Sequence, residues 1–144
     1  MRFSALFMLC LALPLAMPAQ ASDPRQKVEM PEIMRQHMLA NMRDHLLALE
    51  GITRLLSEQK FQQAADLAEQ RLGMSSLNSH GAAHMAQVMP EGMRQAGTAM
   101  HQAASQFAVV ARDAEVEGGM ASAFGALSRV MRQCVACHDG YRVH

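Results

Sequence analysis

The most specific chemistry in this chain lies close to its C-terminus, in Cys134-Val135-Ala136-Cys137-His138. Two thiols in a C-x-x-C pattern followed at once by an imidazole form the attachment sequence for c-type haem. Each thiol adds to one vinyl group of the porphyrin, so both must face the same way. On a helix, positions 134, 137 and 138 fall at i, i+3 and i+4 and share one face. His138 can then reach the iron from the proximal side as its axial ligand. Two other chemistries use paired cysteines. A zinc site wants a second Cys or His pair, and none stands in suitable context. A dithiol redox pair wants a preceding strand in a βαβ pattern, whereas this motif sits late in a helical run. The expected cofactor is one covalent haem c held by Cys134 and Cys137, with His138 on the iron.

The rest of the chain must deliver that motif to a compartment and to a pocket. Met1-Arg2 precedes an apolar run from Phe3 to Met17, and Ala19-Gln20-Ala21 follows. A charged start, an apolar middle and an A-x-A end predict a secretory signal peptide over 1–21. The run is short of the ~20 apolar residues of a membrane span and is interrupted by Pro14, so no membrane anchor is expected. The mature domain is read as 22–144, exported to the periplasm, where c-type haem is attached in bacteria. Cys10 leaves with the signal, so both remaining cysteines belong to the haem motif. Basic and acidic residues balance at 13 each over the whole chain, which suggests no nucleic-acid or membrane-surface partner. Residues 22–29 read as a loose polar lead-in.

Four helical stretches follow. The first begins at Pro31 with the stripe Met34, Met38, Met42, Leu46, Leu49, Ile52 and Leu56, and a turn at 57–59. The second runs from Lys60 to Leu72 with Phe61, Ala64, Ala65, Ala68 and Leu72 inward, and Gly73 closes it. Residues 73–90 read as a long connection with a short helical turn at 82–88. The third runs from Glu91 to Val116, with Met93, Ala96, Met100, Ala104, Phe107, Ala111 and Ala114 on its stripe. Gly118-Gly119 ends it. The fourth runs from Met120 to Arg142, with Met120, Phe124, Leu127, Met131, Cys134, His138 and Tyr141 spaced by fours and threes. No strand-like alternation is visible. The fold class expected is all-α, an antiparallel up-down-up-down four-helix bundle. The attachment residues continue the core stripe of the fourth helix, so the haem is expected inside the bundle.

In this layout the chain resembles the cytochrome c′ family and its low-spin, Met-ligated relatives. The resemblance rests on Arg129-Val130, Cys134-Val135-Ala136-Cys137-His138-Asp139 and Tyr141-Arg142 at the C-terminal end, and on Arg35-Gln36-His37-Met38-Leu39 with Met42 and His45 in the first helix. It implies thioether bonds at Cys134 and Cys137 and proximal ligation by His138. It also implies Arg142 near the proximal imidazole or a propionate, Arg35 near a propionate, and a distal position on the first helix where Leu39 aligns. A homodimer is compatible with it. The 73–90 connection departs from the family pattern.

The distal residue decides the function. A Met thioether as sixth ligand, from Met38 or Met42, raises the reduction potential and makes a low-spin electron carrier. An aliphatic gate, Leu39, leaves an open site that binds nitric oxide or CO. Helical spacing of Met is also what core filler looks like. His80 and His84 would share a face if helical and could hold copper, but a polar loop with two solvated histidines is the plainer reading. His37, His45 and His101 lie on or beside helix stripes, as partly buried histidines or distal-pocket residues. No nucleophile–base set, paired carboxylates or phosphate loop is present, so an enzyme with its own substrate is not expected. The reading is a monohaem electron-transfer protein with an unnamed redox partner protein. The rival readings are a nitric-oxide-sequestering haem protein and a copper-binding Met/His bundle.

Overall fold

The computed structural model describes residues 22–117 and 119–144. The expected signal peptide, 1–21, lies outside the described residues. The chain is mostly helical. Helix α1 spans Glu32–Ser57, α2 Phe61–Arg71, α3 Ala82–Met85, α4 Glu91–Glu117 and α5 Met120–Gly140. A 3-10 turn, Met74–Ser76, begins the connection between α2 and α4.

The boundaries follow local chemistry. Pro31 stands just before α1, where a residue without an N–H costs nothing, and its carbonyl accepts from the N–H groups of Met34 and Arg35. Glu32 sits in the first turn, where a carboxylate complements the positive end of the helix dipole. Gly73 takes over the last carbonyls of α2, its N–H donating to Ala68 O at 2.8 Å.

Packing follows small residues. Helix α2 buries Phe61, Ala64, Ala65 and Ala68, and α4 buries Ala104, Phe107, Ala108, Ala111 and Ala114. Alanine at each turn lets two backbones approach closely and gives the larger side chains, Phe107, Ile52, Leu56 and Leu72, fully enclosed seats. The strong pairings are α1 with α2, α2 with α4, and α4 with α5. Helices α1 and α5 make no comparable contact, and that gap is where the site lies.

Three expectations are corrected. The inward face of α5 is Ala123, Ala126, Leu127 and Val130, whereas Phe124 and Met131 are 42% and 43% exposed. Leu127 is inward as expected, but Phe124 and Met131 sit one position off the packed face, where Ala123 and Val130 are inward instead. On α1, Leu46 is 69% exposed and Ala48 takes the inward place. Third, α5 stops at Gly140. Tyr141 turns extended, and Tyr141–Arg142 (β2) pairs in parallel with Gln26–Lys27 (β1). The lead-in is therefore tied down: the Val28 N–H donates to Arg142 O at 2.8 Å, and the Val28 side chain is buried among Met34, Met38, Met85 and Met93. This strap fixes the segment immediately after His138.

Candidate functional site

A cleft of about 340 Å³ opens between α1 and α5. From α5 it is lined by Gln133, Cys134, Cys137 and His138, and from α1 by Met38, Asn41, Met42, His45, Leu46 and Leu49. Helix α4 contributes Ala96, Gly97, Met100 and His101, and the connection contributes His80, Ala82, Met85 and Met89. The expected i, i+3, i+4 face is present: Cys134, Cys137 and His138 meet the same cavity, while Val135 between them is 57% exposed.

The two cysteines are free and half-buried. Burial pushes both thiols up, and for Cys137 the neighbouring Cys134 adds to the effect. They are held as neutral thiols beside an apolar cavity. The Cys134 Sγ–H points back to Val130 O at 3.7 Å, a weak bond within its own helix turn. Arg25, on the N-terminal strap, approaches the His138 carbonyl at 3.5 Å.

The connection over 73–90 is not a solvated loop. It is pinned to α1 at one point, the His80 carbonyl, which accepts from His37 Nε2 at 2.9 Å and Asn41 Nδ2 at 3.0 Å. A carbonyl can only accept, so His37 carries its proton on Nε2. Gly81 follows with φ +63°, the left-handed turn that starts α3 and sends Met85 into the core. His80 is consequently 9% exposed, whereas His84 stays exposed, and the two do not form a ligand pair. The solvated reading holds for His84 and fails for His80.

His80 turns toward two other imidazoles. Its ring centroid lies 4.8 Å from that of His45 and 5.6 Å from that of His101, and His45 and His101 are 6.0 Å apart. His101 Nδ1–H donates to Leu72 O at 2.7 Å, which leaves Nε2 as the basic nitrogen of the neutral ring. The Ser76 hydroxyl sits 3.3 Å from His80 Nδ1 and 3.4 Å from His101 Nδ1. His45 Nε2 is buried with no hydrogen-bond partner. Burial, then the neighbouring His80 and His101, holds the His45 imidazole down to about 4, so it is neutral at ordinary pH. Among the described residues no three His, Cys, Asp or Glu side chains are arranged to hold a metal ion. The sequence singled out each of these histidines separately. It carried no signal that a connection would fold inward and bring them together.

The remaining expected residues lie elsewhere. Leu39 is half-buried but outside the cleft lining, where Met38 and Met42 are found instead. Arg35 is engaged by Glu32, with Nη2 2.6 Å from Oε2, and does not reach the cleft. Arg142 also lies outside the lining; its Nη1 donates to His144 O at 2.7 Å and its Nε stands 3.6 Å from Asp23 Oδ2.

The residues present fit a covalently held haem. The motif thiols share a mostly apolar cleft with their following imidazole, and α1 forms the wall that faces them. No family model, curated protein or solved structure matches the chain. No described helix is long and apolar enough to cross a membrane.

Proposed function

We propose that this chain is an exported, periplasmic monohaem c-type cytochrome of the c′-like class that serves in one-electron transfer. In this reading α1, α2, α4 and α5 form an up-down-up-down four-helix bundle, and the haem lies between α1 and α5. The observation that carries it is the meeting of Cys134, Cys137 and His138 in one apolar cleft whose far wall is a helix not packed against α5. The bound haem supplies an iron centre that cycles between ferric and ferrous states.

The chain's own residues do the rest. Cys134 and Cys137 anchor the porphyrin edge, and His138, one residue on, is placed for the proximal side. The strap from Gln26 to Val28 stiffens the backbone just beyond it. The distal side falls to α1, because α4 is already packed on α5 and leaves no room between them. Of the two thioethers on that wall, Met38 is 8% exposed and packed among Met34, Met85 and Met93, while Met42 is half-buried. In this reading Met42, the less buried of the two, would be the residue free to turn toward a haem in the cleft as its sixth ligand. A thioether and an apolar wall that keeps water out both favour the reduced iron.

The optical spectrum of the purified protein tests this, oxidised, reduced, and reduced under CO. Sharp low-spin bands that CO does not shift are expected, and Met42→Ala should turn the reduced spectrum high-spin and CO-sensitive. A wild-type protein that is already high-spin and binds CO would return the reading to an open site for CO or nitric oxide. A protein without haem after expression with the maturation machinery would sink it.

A further inference from the structure

The cleft has a polar corner that neither haem attachment nor axial ligation uses. His45, His80 and His101 meet there from α1, the connection and α4. His80 also faces outward. It lines a second, shallow surface pocket together with Asn41, Asp44, Arg71 and Ser79. Its Nε2 stands 4.0 Å from Asp44 Oδ2, and Asp44 is ion-paired with Arg71. A file of imidazoles thus runs from a half-buried carboxylate at the outer pocket, through His80, to His45 and His101 on the cleft wall. Imidazole is the side chain that both accepts and passes protons near neutral pH.

We propose that this histidine cluster takes up a proton from solvent when the haem in the adjoining cleft is reduced, with His80 as the entry. The inference rests on the covalent-haem reading above. One electron from a one-electron donor protein converts ferric to ferrous iron and lowers the charge of the centre by one. One proton, released by hydronium or a buffer acid at the outer pocket, binds an imidazole lone pair in the cluster. No other bond forms or breaks. An added negative charge within a low-dielectric cleft raises the proton affinity of nearby bases, so the two events favour each other.

The surroundings are suited to such a switch. Burial, then His101, Arg71 and His37, holds the His80 imidazole below its usual range, as burial does for His45. His45 is therefore neutral at ordinary pH and has room to charge. The titratable or charged groups around it are His37 and Asp44 on α1, Arg71 at the end of α2, and the motif residues Cys134, Cys137 and His138 across the cleft. Among the described residues the His45 imidazole has the one buried ring nitrogen without a hydrogen-bond partner, Nε2, so no existing bond has to break there on protonation.

The test is the midpoint potential of the holoprotein by spectroelectrochemistry, from about pH 4.5 to about pH 8, for wild type, His80→Gln and His45→Gln. The wild-type potential should fall as pH rises through the acid half of that range, by at most about 59 mV per tenfold change in proton concentration. His45→Gln should flatten that slope. His80→Gln should slow the proton-coupled phase of reduction. Photoreduction of the wild type in unbuffered solution with a pH indicator gives a second readout that needs no variant: a substoichiometric to stoichiometric alkaline jump is expected. A flat wild-type potential with no alkaline jump overturns the inference, and so does a slope unchanged in His45→Gln. Haem that fails to stay with the denatured chain would overturn the underlying cytochrome reading, a separate result.

Discussion

At the scale of single residues, the cleft depends on positions that differ in what they tolerate. In the proposed cytochrome, Cys134 and Cys137 are the two with no substitute, since serine cannot add to a vinyl group under the same conditions. The variant Cys134→Ser/Cys137→Ser should lose the haem colour from the denatured chain, read by a haem-stained denaturing gel; retained colour would refute the attachment. Gly81 is constrained for a different reason. Its φ of +63° disfavours any side chain, and an added Cβ would lie 3.2 Å from His37 Nε2, the group that donates to the His80 carbonyl. Gly81→Ala should therefore cost about 1–2 kcal/mol in urea unfolding. It should also loosen the connection, seen as faster amide exchange over 80–86. A variant as stable as wild type would mean that the left-handed turn is not needed to bury His80 and Met85.

At the scale of elements, the α4–α5 contact is built on small side chains, and filling it should be resisted. Ala126 is 1% exposed on the inward face of α5, so Ala126→Met should destabilise the fold by about 1–3 kcal/mol through overpacking. Phe124→Met, on the exposed side, should change stability by less than about 0.5 kcal/mol. Equal effects would mean that the face inferred from the large residues was the packed one after all. That face shows what a sequence reveals and what it hides. Pro31, Gly73, Pro90 and the 118–119 glycines punctuate the chain strongly, so the limits of the four long helices were legible to within two residues. The stripes of α2 and α4 were legible because their alanines and aromatics share one period. On α5 Phe124 and Met131 run beside Ala123 and Val130 with the same spacing, on the two flanks of the buried Leu127, and periodicity alone cannot say which pair is inside. The strap from Gln26 to Val28 was illegible because two backbone pairs leave no pattern. The cleft was half legible: the motif and Met38 and Met42 announced themselves, while the histidine corner depends on an inward fold of 73–90 that polar composition argues against.

At the scale of the whole molecule, the buried histidines give the fold a characteristic response to acid. His45 has a folded value of about 4 against 6.5 for an unhindered imidazole. Between those values the unfolded chain binds a proton that the folded chain refuses, so stability rises with pH across this window. The contribution is fully present above about 6.5 and is lost progressively as pH falls toward 4. His80, also lowered, acts in the same direction. For His45 alone the effect is on the order of 3 kcal/mol at most, shared through its coupling to the other two rings. The paired surface carboxylates, Glu32 and Glu58 among them, are also held below their ordinary range, by hydrogen bonds from Gln36 and Arg35 and from Lys60, and so protonate at lower pH than an ordinary carboxylate. A loss of stability that begins near pH 6.5 thus belongs to the imidazoles rather than to the acids. Urea unfolding of the purified protein at half-unit steps should show the midpoint falling from about pH 6.5 downward, and His45→Gln should lessen that fall and leave only the part that His80 contributes. A wild-type midpoint that stays level down to about pH 4.5 would mean that the cluster is hydrated in the folded protein and that His45 titrates like a surface histidine. The same result would remove the closed, uncharged corner on which reduction-linked proton uptake depends.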